Sequence, residues 1–181
     1  MTRLSDEQRA SLIAGLTTLE SRSDLILIDT SAGLTPDVLS FVSAADATIV
    51  VATPEPTSIA DAYALMKVAV TQARDAGREP PRLLLVVNQA RNRAEARRVH
   101  ARLSMVCDRF LATTLPLLGM VRGRGARAAV RARRPYTIAS RGAACSKDVR
   151  GAGGRCGGGR TRRGRGTVAK AGLVRRWMGR G

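Results

Sequence analysis

The chain has 181 residues, 44% of them hydrophobic and only 3% aromatic, so any core must be built from aliphatic side chains. Its formal charge of +17 is confined to one end: residues 1–120 carry 13 Lys and Arg against 13 Asp and Glu, whereas residues 121–181 carry 18 against the single acid Asp148. One histidine and three scattered cysteines without CxxC spacing argue against a metal-ligand set or a disulfide framework, and no apolar run approaches the ~20 residues of a membrane span.

Taken in order, "LSDEQRASLIAGLTTLE" opens with Ser5 as an N-cap, followed by Asp6 and Glu7 where a helix dipole favours acids. Leu12, Ile13, Leu16 and Leu19 then recur at helical spacing. "DLILIDT" is short, continuous and apolar, which predicts a strand covered on both faces. "TPDVLSFVSAAD" predicts a short helix with Pro36 in its first turn. "ATIVVAT" predicts a second buried strand. "PTSIADAYALMKVAVTQARDAG" predicts an amphipathic helix starting near Thr57 or Ser58 and stopping at Gly77.

"PRLLLVVNQA" reads as a third buried strand, "RNRAEARRVHARLSMVCDRFLAT" as a basic amphipathic helix, and "LPLLGMV" as a fourth strand. Tyr63, Met66 and Met105 are expected in the core, and His100, among arginines, on the surface. Strands alternating with helices predict an α/β fold: a parallel sheet with helices on both faces and right-handed crossovers. From residue 151 the composition is low-complexity Gly and Arg, and disorder is expected there.

In open α/β sheets, ligands sit outside the carboxyl ends of strands. Asp29, Thr53 with Glu55, and Asn88 all fall at such ends. An Asp there suits a magnesium ion beside a nucleotide phosphate. Ser31, Ala32 and Gly33 let the loop approach a phosphate and move. An Asn amide, donor and acceptor together, suits a purine edge. Plainer readings stand beside these: the same Asp can cap the next helix, and the same Asn can serve a turn.

The stretch "DLILIDTSAGLTPDVLSFVSAADATIVVATPEPTSIADAYALMKV" resembles the MinD/ParA family of P-loop ATPases with a deviant Walker A motif. "TPEPTSIADAYALMKV" and "LLLVVNQARNRAEARRVHARL" resemble its flagellar-regulator branch in particular, and "LLGMV" with "AVRARRPYTIAS" fits the same branch. The resemblance covers roughly residues 4–140. It implies a partial P-loop NTPase (Rossmann-like) domain over 1–140 and a separate tail over 141–181. It implies that Asp29 is the Walker B acid near magnesium, held through water. Thr30, Ser31 and Gly33 become the switch II segment that senses the γ-phosphate, and Asn88 the contact to adenine. ATP and Mg2+ are the implied cofactors. A homodimer, flagellar export and basal-body proteins and an anionic membrane surface are the implied partners. The implied role is regulation of flagellar number and placement by a cytoplasmic protein, peripheral on the inner face of the cell membrane.

Two departures from the family pattern stand out. The phosphate loop, KGGxGKT/S, lies ~100 residues before "DTSAG" in the family's first strand–loop–helix unit. Only 28 residues precede Asp29 here, and no Gly-Lys-Ser/Thr occurs in the 181 residues. A truncated or degenerate family member is therefore expected, inactive in hydrolysis alone and with an uncovered sheet edge. The second departure is "VRGRG" after β-strand "LPLLGM", where the family carries Pro and acidic residues beside the base.

The basic tail predicts salt-sensitive, unspecific contact with nucleic acid or other polyanions. Its last part, 168–180, places Leu173, Val174, Trp177 and Met178 on one helical face, a pattern that suits an anionic membrane surface. The alternative function is thus a non-catalytic interaction protein whose tail binds nucleic acid or membrane.

Overall fold

The computed structural model describes residues 5, 7–8, 11–12, 14–16, 26–123, 147–148, 151 and 170–172. Among them, residues 7–8, 11–12 and 14–16 are helical. Ser5 caps this helix as expected, and Gln8 completes the cap. The Gln8 N–H donates to the Ser5 hydroxyl at 3.1 Å, and the Ser5 N–H donates to the Gln8 side chain at 2.9 Å.

The elements that follow are β1 (Ile26–Ile28), α1 (Pro36–Ala44), β2 (Ala47–Ala52), α2 (Pro56–Asp75), β3 (Leu83–Ala90), α3 (Arg93–Leu111), β4 (Leu117–Arg122) and β5 (Lys170–Gly172). Cα packing divides the chain into two compact units. One comprises 1–50, 64–83 and 161–181, the other 51–63 and 84–160.

In the first unit the strands lie in the order β1-β5-β2, all parallel. The α/β, parallel reading of the sequence therefore holds. Helix α1 begins at Pro36, whose missing N–H costs nothing in a first turn. Val38 and Val42, both 1% exposed, pack with Leu65 and Ala69 of α2, with Leu39 against them. Helix α2 ends in a Schellman motif: Gly77, at φ 65°, donates to the Arg74 carbonyl, and Arg78 N–H donates to the Ala73 carbonyl, each at 2.8 Å. The Arg78 guanidinium then donates to the Ser43 hydroxyl at the end of α1.

Two expectations are corrected in this unit. The run "DLILIDT" predicts a strand covered on both faces, yet β1 is three residues long and Leu27 is 57% exposed. Continuous apolarity marks a strand made for burial; it cannot say whether neighbours cover it. The stretch 168–180 has a pattern that suits a short amphipathic helix. Its described residues, Lys170–Gly172, are strand β5, while the rest lies outside the described residues. Gly172 is a poor helix former, and the open backbone of β1 and β2 offers it a ladder instead.

In the second unit β3 pairs in parallel with β4. Leu83 to Val87 form five consecutive buried residues, the pattern of a strand covered on both faces. Helix α3 turns Ala96, Val99, Leu103, Cys107 and Leu111 inward at helical spacing. Burial pushes the Cys107 thiol up to about 11. Met66 is fully buried as expected. Met105 is 64% exposed, contrary to expectation, because two residues of helix separate it by about 200° from the inward Leu103. His100 is half-buried rather than superficial: its Nε2 lies 2.7 Å from the Leu115 carbonyl and 2.9 Å from the Ser104 hydroxyl.

Candidate functional site

In the first unit the chain leaves β1 at Ile28 and turns through Asp29 to Leu34 before α1. Asp29 is exposed, and so are Ser31, Ala32 and Gly33. Thr30 is the exception at 9% exposure, and its Oγ1 has no hydrogen-bond partner among the described residues. Gly33 sits at φ 108°, a conformation that L side chains rarely adopt. A Cβ there would meet nothing within 4 Å, so the backbone angle and not crowding calls for glycine.

The plain role for Asp29, capping α1, is taken by another residue. Thr35 is the N-cap, and its Oγ1 accepts from Val38 N–H at 3.4 Å. Ser40 Oγ donates to the Pro36 carbonyl at 2.8 Å. Asp29 is left as an exposed carboxylate just past a strand's carboxyl end, one residue before the buried Thr30. Hard oxygen donors of this kind suit magnesium. Among the described residues no group of three or more His, Cys, Asp or Glu converges, so the set fits an ion held by one carboxylate, water and a ligand's own oxygens. It does not by itself fit a triphosphate: no Gly-Lys-Ser/Thr loop is present to supply backbone N–H groups and an ammonium.

In the second unit, Thr53 N–H donates to the Ser58 hydroxyl at 3.0 Å, which ties the end of β2 to the first turn of α2. Thr53 Oγ1 has no partner among the described residues, and Glu55 is exposed. Ser58, 9% exposed, is a structural polar group; the sequence pattern marks it only as a possible start of this helix. Asn88 lies inside β3 rather than closing it, and its Oδ1 accepts from Gln89 N–H at 2.9 Å. Gln89 takes φ 58°, and the β3–β4 register shifts between Asn88 and Ala90. This irregularity is where the strand's path breaks, a common feature beside functional sites. A Cβ on Gly123 would come 3.3 Å from Gln89 Cα, so the chain after β4 passes close to that break.

Arg122, which the sequence marked as a departure beside the base position, has a partner. Its Nε lies 3.0 Å from Asp148 Oδ2, its Nη2 3.1 Å from Oδ1, and its backbone N–H also donates to Oδ2. The lone acid of the basic tail is thus used to tie residues 147–148 to the end of β4. Asp29, Thr30, Ser31 and Gly33 share one turn; Asn88 belongs to the other unit. Each unit also has a cavity: about 260 Å³ in the first, bordered by Leu39, Val42, Asp46 and Arg82, and about 350 Å³ in the second, bordered by Arg93, Arg97, Leu118 and Lys147. None of the sequence-predicted site residues lines either one. Among the described residues no helix is long and apolar enough to cross a membrane.

No protein-family model matches the chain. It is 39% identical over 121 residues to the antiactivator FleN of Pseudomonas aeruginosa, a match that covers 67% of this chain and 41% of FleN. It is 31% identical over 93 residues to the flagellum site-determining protein YlxH of Helicobacter pylori, covering 51% of this chain and 29% of YlxH. The chain therefore spans less than half the length of these relatives. Among solved structures, the MinD cell division protein of Aquifex aeolicus superimposes with a TM-score of 0.60 at 18% identity, over 84% of this chain and 60% of that one. The Pyrococcus furiosus cell division ATPase MinD gives 0.61 at 18% identity, over 84% and 62%. These two likenesses concern the fold.

Proposed function

This chain belongs to the MinD/ParA-type family, on the branch of the flagellar-number regulators, and from that premise we propose that it carries the acid-and-switch half of a nucleotide-dependent regulator of flagellar number and placement. The observation that carries the reading is the turn after β1, with exposed Asp29 followed in the chain by buried Thr30, whose hydroxyl has no partner among the described residues, and by Gly33 at φ 108°. Bound Mg·ATP would supply the charge that this turn is shaped to sense. Asp29 would hold the ion through its water shell. The Thr30 hydroxyl, without a partner among the described residues, would donate to a phosphate oxygen or to the ion's water. Gly33 lets the following loop change its backbone path as the γ-phosphate comes and goes. Asn88 offers its amide to the base. Nucleotide state then controls dimerisation and contact with the cell membrane's inner face, and through them the flagellar machinery.

The phosphate-holding loop has to be supplied beside this half-site for any of this to occur. The test is a chimera in which the part of P. aeruginosa FleN preceding the matched region is joined ahead of residue 24. The chimera is expected to bind Mg·ATPγS and to shift from monomer to dimer on size exclusion, and Asp29→Ala should abolish the shift. Equal nucleotide affinity and equal dimerisation in the Asp29→Ala chimera would refute the assignment.

A second reading rests on a separate observation, the 18 cations against one acid in residues 121–181. It makes the chain a non-catalytic interaction protein that holds nucleic acid or anionic membrane through its tail. Binding of this kind ignores ATP and weakens steeply with salt.

A further inference from the structure

Helix α3 opens with positive charge that the fold does not neutralise. Arg93 and Arg97 stand four residues apart on it, so their side chains are neighbours on one face, where like charges repel. Both border the cavity of about 350 Å³ in the second unit, and Lys147 borders it too. The acids next to them in sequence are already taken. Glu95 accepts from Arg91 N–H at 2.6 Å and lies 3.8 Å from the Arg91 guanidinium. Asp148, also on the cavity, is held by Arg122 through Nε, Nη2 and the backbone N–H. Among the described residues, Arg93, Arg97 and Lys147 have no acidic partner.

The rest of the lining is mostly aliphatic. Ala96 and Leu118 are buried, and Leu117 and Met120 are half-buried. The Arg122–Asp148 pair serves here as an anchor. The Asp148 side chain is 13% exposed, and its bidentate pairing with Arg122 at the end of β4 keeps the neighbouring Lys147 at the cavity. Three cations thus border one concave space whose other walls are apolar.

We propose that this cavity is an anion site for a phosphate monoester that carries a small apolar body. The two guanidiniums offer planar forks of N–H donors that match phosphate oxygens in pairs, and the Lys147 ammonium adds a point charge. A phosphate dianion offsets most of the surplus of three charges, which a single carboxylate would leave largely standing. The apolar body would lie along Leu117, Leu118 and Met120 and shield them from water. A cavity of this volume suits a small organic ligand. None of Asp29, Thr30, Ser31, Gly33 and Asn88 lines it, so the proposal does not depend on nucleotide binding at the turn after β1. A soluble phosphate ester and a phospholipid headgroup present the same chemistry to these residues.

The probe is phenyl phosphate, titrated calorimetrically into the full chain without nucleotide or magnesium. Saturable binding is expected. Arg93→Gln with Arg97→Gln should weaken it at least ~10-fold, the scale of one lost charge-assisted hydrogen bond. Both arginines are exposed, so the fold should tolerate the change. Arg93→Lys with Arg97→Lys keeps the charge and should recover part of the affinity. Arg162→Gln with Arg163→Gln removes the same charge from the tail and should change binding less than ~2-fold. Phosphatidylcholine vesicles with and without phosphatidic acid separate the two sources. Pelleting with phosphatidic acid that phenyl phosphate displaces and the Arg93→Gln, Arg97→Gln variant loses assigns the phosphate to a lipid headgroup. Pelleting that is absent, or that ignores both, assigns it to a soluble ester. Undetectable phenyl phosphate binding, equal binding by the parent and the Arg93→Gln, Arg97→Gln variant, or an equal loss in the tail variant would each overturn the proposal.

Discussion

Thr30→Val separates what the fold needs from what a ligand needs. Valine keeps the β-branched shape and removes the hydroxyl. Thr30 is 9% exposed, and its Oγ1 has no partner among the described residues. A buried, unsatisfied hydroxyl costs about 1–3 kcal/mol relative to a satisfied one, and an apolar group of the same shape avoids that cost. Allowing for the partial exposure, the variant should be about 1 kcal/mol more stable than the parent, which moves the thermal midpoint up by roughly 2–4 °C for a chain of this size. Thr48→Val is the internal comparison, since Thr48 is 1% exposed and its Oγ1 likewise has no partner among the described residues. Both variants should stabilise, as measured by urea unfolding with an unchanged m-value. In the FleN chimera only Thr30→Val should weaken Mg·ATPγS binding. A loss of about 1 kcal/mol or more of stability in Thr30→Val would mean that the hydroxyl already has a partner, and the argument that it awaits one would fail.

Three further outcomes follow from the same structure. Asn92 accepts from Glu95 N–H at 2.9 Å as the N-cap of α3, so Asn92→Ala should cost about 1 kcal/mol in urea unfolding. Leu103 is fully buried on the inner face of α3, so Leu103→Ala should cost about 2–5 kcal/mol, while Met105→Ala, at an exposed position, should change stability by less than about 0.5 kcal/mol. The Cys107 thiol, raised from 9.0 to about 11 by burial, is held neutral in the folded chain while its unfolded counterpart ionises. The unfolded state then binds fewer protons, so this residue's contribution to stability is full below pH 9 and falls as pH rises through about 11. Stability curves of the parent and of Cys107→Ala should therefore converge over that window, and parallel curves would contradict the burial effect.

The sequence was most informative where one local rule decides the outcome. Ser5 ahead of a helix, Pro36 in a first turn, Gly77 after the last turn of α2 and the run Leu83–Val87 each carry a local steric or hydrogen-bonding reason, and each is where the structure puts it. It was least informative where a residue's surroundings come from distant chain. "LILI" has the composition of a central strand, but only neighbours from elsewhere can cover Leu27, and they leave it 57% exposed. His100 sits among arginines in sequence, yet the carbonyl of Leu115, fifteen residues on, gives its ring a partner. Asp148 looked like a stray acid until Arg122 closed on it. Nothing within a few residues of Lys170 announces a strand, because the strand exists only where β1 and β2 present a ladder to it.

The polar residues of the candidate site show the same limit from the other direction. In the sequence Thr30, Thr35, Thr48, Thr53 and Ser58 are five hydroxyls near strand ends and helix starts, with little to rank them. Following each hydroxyl to its partner sorts them. Thr35 caps α1, and Ser58 accepts from Thr53 N–H, so the fold accounts for both. Thr30, Thr48 and Thr53 have no hydroxyl partner among the described residues. Those three are still not equivalent. Thr48 lies inside β2 at the register position of Gly172, where an unpaired hydroxyl is only a cost. Thr30 and Thr53 each follow the carboxyl end of a strand, the place where α/β sheets receive ligands. An unmet hydrogen bond becomes evidence for a ligand only when it lies where one can arrive. By that criterion Thr30, next to the exposed carboxylate of Asp29, is the residue on which the functional assignment should first be tested.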